Sequence, residues 1–395
     1  VKQNVGSVRK DIGVLVDMSN TYCPLIHNGL ATSPVGGYRP CCIFDEKWLV
    51  RTSLDDYKDS KIYKDILTAE SEGKWHPGCH LCEGAEQHGA DSKRLREINN
   101  LKDIELQNDK IYLLDLRLGN KCNMACLSCS AKNSSAIYQE VAEVLDKNID
   151  IKLPQHFLYW YNKEKDFTNQ YNDDEIIELL NRVDVNARIY FTGGEPTVIK
   201  HVKRCLDKMI EMGLHKTIQL EFSSNFLAWN NLWFDRIAQF NGIMMASIDD
   251  VGPRAEYIRY KTDWKIVEAN IKKFIKDLRN WRTNVVPTIS ILNILYLDDL
   301  INWCNDLNVR IKLTNPLISP DFLCIRNLPI EAKEKIEINL QKYKNLHGGS
   351  DLIKVLQLKP NTKIESIKDT LNNMDKLRKT NWKETFPKLV EFIGE

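Results

Sequence analysis

No stretch of the sequence comes near the roughly eighteen uninterrupted apolar residues of a membrane-spanning helix, and the opening segment VKQNVGSVRK lacks the apolar core of a secretory signal. A soluble, cytoplasmic protein is the expectation. Charge of one sign is missing too: 55 Lys and Arg stand against 54 Asp and Glu, a formal net charge of +1. No whole-protein field then draws the chain to nucleic acid or to an anionic membrane, although local basic patches stay open. A length of 395 residues is too great for one small core and suits one large domain with one or two smaller ones.

Cysteine, by contrast, is plentiful. Eleven are present (23, 41, 42, 79, 82, 122, 126, 129, 205, 304 and 324), and eight of them fall in the first third of the chain. Where thiols are kept reduced, such bunching points to metal ligation rather than to a disulfide framework.

Pattern divides the chain into four parts. Residues 1–83 hold few periodic segments, several Gly and Pro turns (SPVGGYRPCC, KWHPGC) and five cysteines; they read as a small metal-stapled module with a short hairpin near 35–45. Residues 84–110 are charged and helical in character, a linker helix. From 111 to 330, apolar and β-branched runs alternate with amphipathic helices. The strand candidates are 111–118, 187–193, 217–225, 242–249, 284–292 and 309–315, with helices such as HVKRCLDKMIEMG (201–213) and WKIVEANIKKFIKDLRN (264–280) between them. An insertion, about 147–186, interrupts the first repeat. Residues 331–395 read as helices without a chemical motif. Six strand and helix units in a row predict an α/β fold with a parallel sheet, open or as a partial barrel.

In a parallel sheet the chemistry gathers at the C-terminal ends of the strands. After the first strand comes GNKCNMACLSCS, with Cys122, Cys126 and Cys129 close together; after the second comes TGGEP (192–196); after the third, SSN (223–225); after the fourth, SIDD (247–250). Three thiolates within eight positions can hold one metal centre. A tetrahedral centre needs four ligands, and an open position is the mark of a catalytic rather than a structural site.

C-x3-C-x2-C after the first strand, followed by G-G-E-P after the second, resembles the radical S-adenosylmethionine (radical SAM) superfamily over about residues 111–315. The resemblance implies a partial (β/α)6 TIM-like barrel. It implies that Cys122, Cys126 and Cys129 bind a [4Fe-4S] cluster, whose fourth iron is left to the amino and carboxylate groups of S-adenosylmethionine. Gly193, Gly194 and Glu195 would then meet the methionine amino group, with Pro196 fixing the turn. Ser223, Asn225, Ser247 and Asp249 would reach the ribose or the methionine carboxylate, and Arg259 is a further candidate for a carboxylate contact. One departure is clear: the residue before the third cysteine is usually aromatic in that family, and here it is Ser128. Adenine packing is then expected from Leu127 or the region around Asn293.

The N-terminal cysteines form a second constellation. Cys23, the adjacent Cys41 and Cys42, and the pair Cys79 and Cys82 resemble the SPASM or twitch auxiliary-cluster modules of radical SAM enzymes, here placed before the barrel rather than after it. A second [4Fe-4S] cluster on Cys23, Cys41, Cys79 and Cys82 is the expectation, with Cys42 as the alternative to Cys41 because consecutive strand residues face opposite ways. A structural zinc on the same four thiolates is the competing reading. Cys205 and Cys304 read as buried small hydrophobes. Cys324, on the loop after the sixth strand, is a candidate hydrogen-atom donor.

The resemblance implies reductive cleavage of S-adenosylmethionine and hydrogen abstraction from a substrate, with an electron donor such as flavodoxin or ferredoxin. A peptide or protein substrate is favoured, to be epimerised, cross-linked or oxidised. A small-molecule dehydrogenase acting on sugar alcohols is the alternative, and a non-catalytic metal-cluster scaffold a third reading.

Overall fold

The computed structural model describes residues 21–87, 89, 91–107, 109–163 and 171–394. The segment 1–20, on which the signal-sequence reading and the start of the N-terminal module fall, lies outside the described residues, as do short parts of the linker and of the insertion.

Among the described residues eight strands make one sheet: β1 (Gly29–Thr32), β2 (Tyr38–Arg39), β3 (Ile111–Leu116), β4 (Val183–Phe191), β5 (Gln219–Ser224), β6 (Gly242–Ala246), β7 (Trp281–Val285) and β8 (Arg310–Ile311). Their order is β2-β1-β3-β4-β5-β6-β7-β8. From β3 to β8 each strand pairs in parallel with the next. Helices cross between them, and this run carries the partial (β/α)6 arrangement expected from the sequence.

Period-two alternation gives the sheet two unlike faces. Leu114, Leu116, Ile189, Phe191, Leu220, Phe222, Met244 and Ala246 are buried in the main hydrophobic core. The helix Lys200–Glu211 turns Val202, Cys205, Leu206 and Met209 inward, and Trp264–Asp277 turns Val267, Ile271 and Phe274 inward, the three-and-four spacing of an amphipathic helix. Each such fully buried side chain contributes about 1.5–3 kcal/mol. The intervening positions, Leu113, Asp115, Arg188, Tyr190, Glu221, Ser223 and Met245, line a cavity instead.

Several boundaries differ from the sequence reading. The hairpin is formed by β1 and β2, so it begins at Gly29, and β1 also pairs in parallel with β3, which joins the N-terminal residues to the main sheet. The hydroxyl of Tyr171, from the insertion, accepts from the Ser33 N–H at 2.9 Å and lies 2.8 Å from the Gly37 carbonyl oxygen, pinning the hairpin turn. The linker holds the end of one helix, His80–Gln87, and the whole of another, Lys93–Leu101, the second capped by Ser92, whose hydroxyl accepts from the Leu95 N–H. β7 starts and ends earlier than 284–292, with Pro287 lacking the N–H a ladder needs. The last strand shrinks to Arg310–Ile311. Helices Ile330–Leu340, Gly349–Leu356, Ile364–Arg378, Trp382–Thr385 and Pro387–Ile393 follow as expected. Arg378 ties them to the helix Ser135–Asp146 through a buried two-pronged ion pair with Glu140. Among the described residues no helix is long and apolar enough to cross a membrane.

Candidate active site

The loop after β3 is laced to its surroundings by backbone hydrogen bonds. Ala125 N–H donates to the Tyr260 carbonyl and Leu127 N–H to that of Ile258, so residues 122–129 lie against the segment 258–260. The Ser134 hydroxyl donates to the Met124 carbonyl at 2.6 Å and accepts from the Ile137 N–H, capping the helix that follows. Leu127 points into the core, and Cys122, Met124, Cys126 and Cys129 line the cavity of about 1060 Å³ on the other side. Burial pushes all three thiols up, Cys129 to about 12, and the neighbouring thiols add to the rise at Cys122 and Cys129. At Cys126 the Arg259 guanidinium pulls the other way, with Nη1 at 4.0 Å from the sulfur. A cationic metal centre would reverse the burial effect, because a coordinating thiol loses its proton outright.

The GGEP turn is bound to this loop through its backbone. Glu195 N–H donates to the Lys121 carbonyl at 2.8 Å and Gly194 N–H to that of Gly119. A Cβ on Gly194 would stand 2.2 Å from the Lys121 oxygen, so only glycine allows this approach. Gly193, at φ 103°, makes the preceding turn. The glycines thus bring the chain close to its own cysteine loop while also lining the cavity. Pro196, buried, opens the short 3-10 helix that Glu195 caps.

Glu195 is 2% exposed and reaches the cavity wall. Its Oε1 accepts from the Thr197 N–H at 3.2 Å, the Thr197 hydroxyl at 2.7 Å and the Ser224 hydroxyl at 3.0 Å; its Oε2 accepts from the Asn225 N–H at 2.8 Å. Burial raises its carboxyl above the usual range, and these bonds oppose the rise. Three of the four fall on one oxygen, which leaves Oε2 with acceptor capacity for a further donor.

The remaining expected residues divide. Ser223, whose hydroxyl is 2.6 Å from that of Tyr190, and Ser247 line the cavity. Asn225 lines it as well, although its amide donates to Asn123 at 2.8 Å and its Oδ1 accepts from the Leu227 N–H. Asp249 does not line it. Its carboxylate, 1% exposed, grips Arg259 with two contacts of 2.9 Å and accepts from the Thr288 N–H, so it positions Arg259, which does face the cavity. Leu127 and Asn293 are buried away from it, whereas Met124, Val286 and Thr288 line it. Cys324 is 1% exposed and is not among the residues that line the cavity; Lys333 is a charged neighbour. Cys205 and Cys304 are fully buried.

Cys23, Cys41, Cys79 and Cys82 line a separate, small cavity of about 30 Å³ with Phe44, Ile66 and Trp75. Burial, then backbone contacts and the charges of neighbouring thiols, shape Cys23, which rises to about 12 with Cys79 and Cys82 adding to the rise. Cys79 also rises to about 12, from burial and from Cys41 and Cys82. Cys42 turns the other way and lines the large cavity, where Asp115 adds to the burial that raises its thiol while Lys93 and Arg117 oppose it. Of the two adjacent residues, Cys41 is the one that shares a chamber with the other three. Among the described residues no group of three or more His, Cys, Asp or Glu is set to hold a metal ion; the thiols surround cavities rather than meeting at a point.

No family model matches the chain, and no curated protein matches it. Among solved structures, 29 chains match. Native anSMEcpe with bound AdoMet is 15% identical over 58% of this chain and 59% of its own, with a TM-score of 0.40. Streptococcus suis SuiB bound to precursor peptide SuiA is 11% identical over 83% of this chain and 64% of its own, with a TM-score of 0.31. TYW1 with a lysine-pyruvate adduct bound is 11% identical over 57% of this chain and 72% of its own, with a TM-score of 0.30. The chain spans about three fifths of the length of anSMEcpe. Identities and scores of this size leave the functional reading to the chain's own residues.

Proposed function

We propose that this chain is a radical SAM enzyme. The observation that carries the reading is the convergence of Cys122, Cys126, Cys129 and the Glu195 carboxylate on one cavity at the C-terminal ends of β3 and β4. Thiols ranged around a chamber suit a polynuclear cluster, whose ligands stand further apart than the corners of a zinc site with its ~2.3 Å bonds. When bound there, a [4Fe-4S] cluster supplies the electron that splits S-adenosylmethionine into methionine and a 5'-deoxyadenosyl radical, the species that takes a hydrogen atom from the substrate.

The chain's own residues do the positioning. Glu195 receives the methionine ammonium at Oε2, and the Gly194 contact with Lys121 fixes that carboxylate relative to Cys122. Arg259, held by Asp249, offsets thiolate charge at Cys126. Ser223, Ser247 and Asn225 offer hydroxyl and amide groups to the ribose. Cys23, Cys41, Cys79 and Cys82 hold the auxiliary cluster, with Cys42 left on the substrate side. A volume of about 1060 Å³ stands at the top of the roughly 300–1,000 Å³ range of small-molecule sites, and a peptide substrate beside the cofactor is the reading we favour. A flavodoxin or ferredoxin would deliver the electron.

Iron counting and electron paramagnetic resonance on the anaerobically reconstituted, reduced protein test this. About eight irons and a cubane signal that changes when S-adenosylmethionine is added are expected. A signal indifferent to S-adenosylmethionine would defeat the reading.

A further inference from the structure

The large cavity is lined by charged side chains, whereas parallel barrels ordinarily fill their interior with branched apolar ones. Lys93, Arg96, Arg188, Arg259 and Lys312 are the lysines and arginines that line it. Four of these have a carboxylate within reach: Lys93 pairs with Glu97 at 3.5 Å, Arg96 with Asp91 at 3.3 Å, Arg188 with Glu97 and with Glu221 at 3.6 Å, and Arg259 with Asp249 at 2.9 Å. The lining carboxylates are likewise engaged: Asp115 has Arg117 at 3.3 Å, Asp351 has Lys354 at 3.0 Å, and Glu195 has its four donors.

Lys312 is the exception. Its backbone N–H extends the β7 ladder by donating to the Val285 carbonyl at 2.9 Å, which holds the residue just past β8 on the cavity wall. Among the described residues its ammonium has no carboxylate within 4.0 Å and no hydrogen bond. Burial disfavours its charge, Arg282 and Arg310 repel it, and only Glu221 pulls the other way. Thr314, Asn315 and Ser350, all exposed, also line the cavity, with the Asn315 amide donating to the Thr288 hydroxyl at 3.0 Å. A half-buried cation on the wall of a cavity, repelled by two others and without a paired carboxylate, is an incomplete site. What completes it is an anion.

We propose that the substrate carries a carboxylate and that Lys312 receives it. The inference rests on the reading of this cavity as the reaction chamber, and deepens it by naming the substrate's charge. The carboxylate belongs to an acidic side chain if the substrate is a peptide, or to a free acid if it is small.

Calorimetry on the reconstituted full chain, without reductant and with S-adenosylmethionine present throughout so that its own carboxylate is already placed, tests this. The probes are succinate and a terminally blocked hexapeptide of glutamates, each against its uncharged partner, succinamide and the hexaglutamine peptide. Wild type is expected to bind at least one acidic probe about tenfold or more tighter than its neutral partner, the gain of a charge-assisted bond. Lys312→Met should erase that preference and Lys312→Arg should keep it. Succinate as the preferred ligand places the carboxylate on a small acid; the peptide as the preferred ligand places it on a side chain. No preference in wild type, or the same preference in Lys312→Met, overturns the inference. Cleavage of S-adenosylmethionine is not read in this titration, so its presence or absence bears on the enzyme class separately.

Discussion

Replacing Glu195 by glutamine keeps the size of a 2% exposed side chain while removing its charge and one acceptor oxygen. The Thr197 hydroxyl can reverse and accept from the new amide, but the Ser224 hydroxyl already accepts from the Phe226 N–H and the Trp229 indole N–H, and the N–H groups of Thr197 and Asn225 can only donate. One backbone donor is therefore orphaned, at about 1–3 kcal/mol. Against that stands the relief of a buried charge, since desolvation is the leading cause of the raised Glu195 carboxyl. The two partly cancel, and urea unfolding should show a loss at the low end of that range. Affinity for S-adenosylmethionine has no such compensation: a charge-assisted bond to its ammonium is worth about 1.5–3 kcal/mol, roughly ten- to a hundredfold. A pH series adds a second reading. Because burial raises this carboxyl, the folded chain keeps the proton to a higher pH than the unfolded chain. Ligand-free stability from this group is greatest below the ordinary carboxylate range and falls as pH climbs from there through the raised folded value. Glu195→Gln should remove that fall. Wild-type affinity in the glutamine variant, measured by anaerobic calorimetry, would refute the assignment of Oε2 to the ammonium.

Cys41→Ala should lower the iron content from about eight to about four per chain while Cys42→Ala leaves it unchanged, because only Cys41 faces the chamber shared by Cys23, Cys79 and Cys82. Arg259→Met leaves the buried Asp249 without its counter-charge, and urea unfolding should record a loss of about 3–5 kcal/mol. The double change Arg259→Met with Asp249→Leu should recover part of that loss, and no recovery would mean the two residues are not coupled. Gly194→Ala drives a methyl group into the Lys121 carbonyl and should weaken S-adenosylmethionine binding with the cysteines intact, again read by calorimetry.

Much of the parallel run was legible because its strands are short apolar blocks between amphipathic helices, and the cysteine and GGEP motifs fall where such strands end. Strand β1 was not: Gly29–Thr32 is four residues, all buried, with no alternation to mark it. TISIL after β7 looks like strand because its isoleucines are apolar, yet Ile289 and Ile291 are buried within a loop that makes only an isolated bridge to Pro316. Within the site, spacing located Asp249 and Arg259 but not that one consumes the other, a matter of three-dimensional pairing. Ser224, Tyr190 and Asn123 support the expected residues through hydrogen bonds that no linear pattern announces. Tyr190 had a usable signal, since it lies two positions before Thr192, the first residue past β4, and both line the cavity. The choice between Cys41 and Cys42 needed the directions of two adjacent side chains.

The most direct test of the radical SAM reading is mass spectrometry of the small-molecule products after the reconstituted protein is incubated anaerobically with S-adenosylmethionine and dithionite. The account predicts 5'-deoxyadenosine and methionine from wild type, and neither above background from the Cys122→Ala, Cys126→Ala, Cys129→Ala triple variant, which should still keep about four irons at the N-terminal cysteines. Equal 5'-deoxyadenosine from both proteins, or none from a wild-type protein carrying its full iron, would contradict it.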